Sequence, residues 1–171
     1  MILLREAFER DKIISEAIRQ KALELAVRFK EETAPKKYHA AAWPVIRHPY
    51  SNVFMCQFAL AQMKAACERA PDNPEYRLAL GVAQYRLGRF QKERYPEALA
   101  TLTKCDPNQP ATLAFLAMTL HHLGRHDEAA ATRARLREVI KDERWAMDAE
   151  IQNFSREAEA TIKEQPPGTG K

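Results

Sequence analysis

Few residues in this 171-residue sequence have types and spacings that could do chemistry. His121, His122 and His126 form a histidine cluster. Neighbouring residues on a helix point about 100° apart, so His121 and His122 cannot chelate one ion well. His122 and His126 have i,i+4 spacing, but Gly124 is expected to break the helix between them. No cysteine or paired carboxylate completes a zinc set, so no metal is expected. Cys56, Cys67 and Cys105 are odd in number and lack C-x-x-C spacing. Each lies in an Ala/Leu-rich helical stretch, which reads as buried, reduced thiols in a reducing, cytoplasmic compartment.

The tail Pro166-Pro167-Gly168-Thr169-Gly170-Lys171 resembles a phosphate loop only superficially. That motif needs a glycine where Gln165 stands, a Ser or Thr after the lysine, a strand before and a helix after. No Ser/His/Asp or Cys/His arrangement is discernible, so no catalytic residue, enzyme activity or cofactor is expected. Arg133, Arg135, Arg137, Lys141 and Arg144 form the densest positive stretch. Residues 133 and 137, and 137 and 141, are i,i+4 neighbours on one helical stripe. Over most of the chain the two signs are interleaved, as in Glu9-Arg10-Asp11-Lys12. That pattern is a solvated helix surface, whereas nucleic-acid binders gather charge. The net charge of +4 therefore makes nucleic-acid binding through 133–144 the alternative reading.

The elements that position these residues must be helices. Alanine is abundant at 28 residues and glycine scarce at 5, two of them in the last four positions. Such a composition disfavours all-β, doubly wound and phosphate-loop folds. No apolar run reaches the ~18 residues of a membrane span, and the N-terminus is charged too early for a secretion signal.

Apolar spacing predicts a short helix near 2–9 and a longer one near 12–32, stopped by Thr33-Ala34-Pro35. A third helix is expected near 37–46, kinked or starting late because of Pro44. Further helices are expected at about 53–70, 75–87, from Pro96 to 106, 112–123, 127–141 and 144–164. Gly88 and Gly124 are the expected left-handed stops. Pro71-Asp72-Asn73-Pro74 and Asp106-Pro107-Asn108-Gln109-Pro110 are the expected turns.

Gly88 and Gly124 lie 36 residues apart, as do Pro71 and Pro107 and Leu80 and Leu116. Two helical hairpins therefore share their register at both ends. Leu80-Gly81-x3-Tyr85-x2-Gly88-x-Phe90, then Tyr95-x2-Ala98 and Pro107, resembles a tetratricopeptide repeat. Leu116-Ala117…Gly124-x-His126-x2-Ala129 resembles a second copy, with His121 standing in place of Tyr85. Ala59, Ala66 and Pro71 suggest a degenerate third copy upstream. The first full copy carries about five extra residues around 91–94, so Phe90 and Tyr95 compete for one position. Over most of residues 2–163 the chain also resembles the C-terminal helical segment of many planctomycete multidomain proteins, often bacterial serine/threonine kinases. The residues carrying this are Ala41–Pro49, Ala65–Asn73, Leu80–Arg89 and Leu116–Gly124. In that family alanine is usual where Pro44 stands.

The resemblance implies an all-α fold of seven to nine helices, stacked as a short right-handed superhelix. It divides into atypical helices over 1–52, a repeat core over 53–141 and a capping helix over 142–164. Together 1–164 forms one domain, followed by a disordered tail over 165–171. First helices of such hairpins line a concave groove. The family pattern puts Leu78, Val82, Tyr85, Arg86, Met118, His121 and His122 on that face. The implied function is a non-catalytic scaffold that binds a protein or peptide in the groove, and the resemblance extends this to an appendage of a kinase. No membrane partner is expected, nucleic acid is disfavoured, and homo-oligomerisation is left open. The alternative reading is that, in a short stack, residues 1–33 or the last helix fill the groove, so that its lining is core and the module is a rigid spacer or dimerisation unit.

Overall fold

The computed structural model describes residues 34–163. The helices expected over 1–33, and the tail over 165–171, lie outside the described residues. Between them the described chain is helical, with eight helices and no strand. They are α1 (Pro35–Ile46), α2 (Val53–Arg69), α3 (Pro74–Gly88), α4 (Arg94–Leu102), α5 (Pro110–His122), α6 (His126–Val139), α7 (Glu143–Ala146) and α8 (Ala149–Lys163).

Local chemistry explains the boundaries. α1, α3 and α5 each start with proline in the first turn, where the missing N–H has no intrahelical partner to lose. Asn52 caps α2 by accepting from the Met55 amide. Asn73 caps α3 by accepting from the amides of Glu75 and Tyr76. Pro44 neither delays nor ends α1. It lies in the last turn with its ring exposed, and the helix closes two residues later at Ile46. The helix expected over 144–164 is two helices, α7 and α8. Asp148 stands between them and accepts from the amides of Glu150 and Ile151, so a new N-terminus forms where continuous helix was expected.

Gly124 has the left-handed φ of +76° expected of a helix stop. Gly88 does not: it is the last residue of α3 and its φ is not positive. What Gly88 supplies is space. A Cβ there would lie 2.5 Å from Tyr95 Cε1. Gly81 serves α4 in the same way, since a Cβ would lie 2.7 Å from Leu102 Cδ2. Gly81 facing Leu102 and Gly88 facing Tyr95 set α3 and α4 antiparallel at close approach. They also resolve the competition left by the extra residues. Tyr95 is buried in the hairpin, whereas Phe90 is about half exposed.

α1 packs on α2, α3 on α4 and α5 on α6, and successive hairpins join through α2 with α3 and α4 with α5. The core runs along the stack through Ile46, Met63, Val82, Leu102, Phe115 and Leu136, all buried. Burying a side chain of this kind stabilises the fold by about 1.5–3 kcal/mol. The last helix among the described residues, α8, turns back onto α5 and α6.

Candidate functional site

α1, α3 and α5 are the first helices of their hairpins, and α8 lies across all three. Trp43 of α1 donates from Nε1 to Glu150 Oε1 at 3.2 Å. Its ring meets Phe154 edge-on, with centroids 6.2 Å apart. Phe154 also packs on Phe115 of α5 at 5.0 Å. Farther along α8, Thr161 reaches Met118 Sδ at 3.6 Å, and the Tyr85 hydroxyl donates to the same sulfur at 3.3 Å.

Arg86 is the centre of this arrangement. Its side chain has no exposed surface. Its Nε donates to the Ile46 carbonyl at 2.7 Å and its Nη2 to the Arg47 carbonyl at 3.4 Å. Both carbonyls are orphaned at the C-terminus of α1, where the helix dipole favours a cation. The fork of the same guanidinium grips Glu157 of α8 through Nη1 to Oε1 and Nη2 to Oε2, the latter at 2.8 Å. Its Cζ lies 5.0 Å from the Phe115 centroid, over the ring. One side chain of α3 thus ties α1 to α8.

Of the seven groove residues named from the sequence, Leu78, Val82, Tyr85, Arg86, Met118 and His121 are buried. Tyr85, Arg86 and Met118 share the surface that α8 covers. His122 is exposed at one edge, yet its ring stacks on Tyr95 at 4.6 Å. His121 meets His126 edge-on at 5.2 Å. Burial pushes the pKa of both His121 and His122 down, helped by nearby cationic side chains. Burial pushes the Tyr85 phenol up, and the Glu157 carboxylate adds to this. The Cys105 thiol is pushed up to about 11, again by burial. No group of three or more His, Cys, Asp or Glu is placed to hold a metal among the described residues. No helix among them is long and apolar enough to cross a membrane.

The arginine stripe of α6 is engaged. Arg137 donates twice to Glu159 of α8, at 2.6 Å each, and Arg133 lies 3.9 Å from the same carboxylate. Arg135 binds Asn108, Lys141 binds Glu138 and Arg144 binds Asp142. The Arg144 guanidinium and amide hold the Asp142 carboxyl at about 2.

Sequence reasoning did not find Glu157, Phe154 or Glu150 as groove-contacting residues. The signal was present: Glu150, Phe154, Glu157 and Thr161 recur at i, i+4, i+7 and i+11, one stripe of the last helix.

A tetratricopeptide-repeat family model matches residues 90–147. That match supports a tetratricopeptide-repeat protein. It spans the α5–α6 hairpin and extends over α4 and α7. The 36-residue register carries the same pattern back to α3, beyond the matched span. No curated protein and no solved structure matches the chain significantly. The resemblance to planctomycete kinase-associated segments thus gains no support from these comparisons. Tetratricopeptide repeats generally mediate protein–protein interaction and are typically non-catalytic.

Proposed function

We propose that this chain is a non-catalytic protein-interaction scaffold whose concave groove seats an amphipathic helix. One observation carries the reading: α8 lies in the groove as such a helix. Phe154 supplies the apolar anchor, Glu157 the carboxylate for Arg86, and Thr161 the contact to Met118. These are the chemistries that Tyr85, Arg86 and Met118 would offer a partner peptide. Leu78, Val82 and His121 are buried as well, and His122 is exposed. A partner helix with an aromatic residue three positions before a carboxylate would take the place of α8. Attachment to a bacterial serine/threonine kinase, implied by the sequence resemblance, is a finer part of the proposal. The nucleic-acid reading is weakened by the carboxylate or amide partner on each cation of the 133–144 stripe.

The test is exchange in trans. A labelled peptide spanning residues 149–163 is titrated into the full chain and into the Phe154→Ala/Glu157→Ala variant, with helical content checked by circular dichroism. The variant, its own α8 weakened, should bind the peptide at least tenfold more tightly than the parent. A folded variant that binds no better than the parent overturns the groove as a helix seat.

A further inference from the structure

The charges of α8 sort by face. Glu150, Glu157 and Glu159 are partly buried, whereas Arg156 and Lys163 are exposed. Each of the three carboxylates meets a cation from a different part of the groove. Glu150 Oε1 lies 3.6 Å from Arg47, just past the end of α1, and accepts from Trp43. Glu157 takes the fork of Arg86 on α3. Glu159 accepts twice from Arg137 of α6, with Arg133 at 3.9 Å. The hydrogen bonds from Arg137, with the charges of Arg137, Arg133 and Lys163 adding to them, hold the Glu159 carboxyl below its ordinary value.

The groove has little acid of its own to offer these cations. α1 and α5 contain no Asp or Glu. The acid of α3, Glu75, stands in its first turn, whereas Arg86 is in the last. On α6, Asp127 is in the first turn, and Glu128 and Glu138 pair with Arg125 and Lys141. A seated helix without a carboxylate at the central position would leave Arg86 buried and unpaired, which is the costly case. A basic helix would set like charges against each other across the contact, and that repulsion rejects wrong partners. Arg47 and Arg137 are each about half exposed, so their pairs fix register more than they add strength.

We propose that the groove selects an acidic amphipathic helix of a partner protein, with carboxylates at i, i+7 and i+9 and an aromatic residue at i+4. That is the spacing of Glu150, Glu157, Glu159 and Phe154. Arg47, Arg86 and Arg137 are then the residues that determine specificity, one for each carboxylate. The inference rests on reading the groove as a helix seat and adds the charge of the partner and its register.

The probe is the 149–163 peptide with a substitution series. It is titrated into the full-length Phe154→Ala/Glu157→Ala chain and, as a second and milder receptor, the full-length Glu157→Gln chain. In the peptide, Glu157→Gln should weaken binding roughly tenfold or more. Glu150→Gln or Glu159→Gln in the peptide should weaken it about two- to fivefold, as befits half-exposed pairs. Adding Arg137→Glu to the receptor should move the preference at least fivefold towards the Glu159→Lys peptide, while the penalty for the Glu150→Lys peptide stays as it was. Equal binding of the unsubstituted, glutamine and lysine peptides overturns the proposal and leaves the helix seat standing. An Arg137→Glu shift of the same size for both lysine peptides also overturns it, because it shows attraction without register. Displacement of the peptide by a single-stranded oligonucleotide would assign the groove cations to nucleic acid instead. Failure of every peptide to bind either receptor overturns the helix seat itself.

Discussion

Removing the Glu157 carboxylate should unseat α8 and leave Arg86 charged in the core. The size of the effect follows from what the guanidinium touches. Breaking a buried ion pair by deleting one partner costs about 3–5 kcal/mol, because the remaining charge is left without compensation. Glu157 retains 17% of its side-chain exposure, so water can partly replace it. Glu157→Ala should therefore fall near the lower end, about 3 kcal/mol. Arg86→Ala removes the pair and also the donors to the Ile46 and Arg47 carbonyls, so it should cost about 5 kcal/mol. Removing both charges, as in Arg86→Ala/Glu157→Ala, leaves no unpaired ion. That double variant should lose less than the two single variants together, by at least about 2 kcal/mol. Urea unfolding followed by far-ultraviolet circular dichroism measures all three. Single variants each within about 0.5 kcal/mol of the parent, or losses that simply add, would refute the view that Arg86 pins α8. The same logic extends to Tyr85→Ala/Arg86→Ala: both residues are core, so that variant should be destabilised.

Gly88→Ala should cost about 1–3 kcal/mol, because the Tyr95 ring that its Cβ meets is buried and stacked on His122; an unchanged thermal melt would contradict the packing of α3 on α4. His39, His121 and His122 all have lowered pKa values, chiefly from burial, so the unfolded state takes up protons first as pH falls through 6.5. Stability should thus be full above that pH and fall below it, and His122→Phe should flatten the pH dependence of the melting temperature. The Cys105 thiol, pushed up to about 11 from an ordinary 9.0, should stay protonated at neutral pH and resist a thiol reagent until the chain unfolds. The linked stability is present below 9.0 and is lost as pH rises towards 11. Native labelling as fast as in urea would count against its burial.

The sequence by itself determined the helical class, the 36-residue register and most helix boundaries. Prolines, Asx turns and small residues act within a few positions of the chain, so Asn73 reads as a cap and Gly124 as a stop without knowledge of the fold. Antiparallel crossing could also be read, since Gly81 and Ala98 are small where two helices must approach. Other features depend on groups that meet only in three dimensions. Gly88 looked like a left-handed turn, yet the Tyr95 ring is what excludes a side chain there. The choice between Phe90 and Tyr95 was settled by which ring could enter that gap. Above all, the groove pattern of α3 and α5 is the same whether a partner or the chain itself fills it. A pattern along one helix records that a face is apolar and carries a cation. It does not record which helix brings the matching phenylalanine and carboxylate. Glu157 lies 71 residues from Arg86 in sequence, and only the path of the chain through α6 and α7 places α8 across the groove. Burial of Arg86, its two carbonyls and its ion pair are consequences of that path.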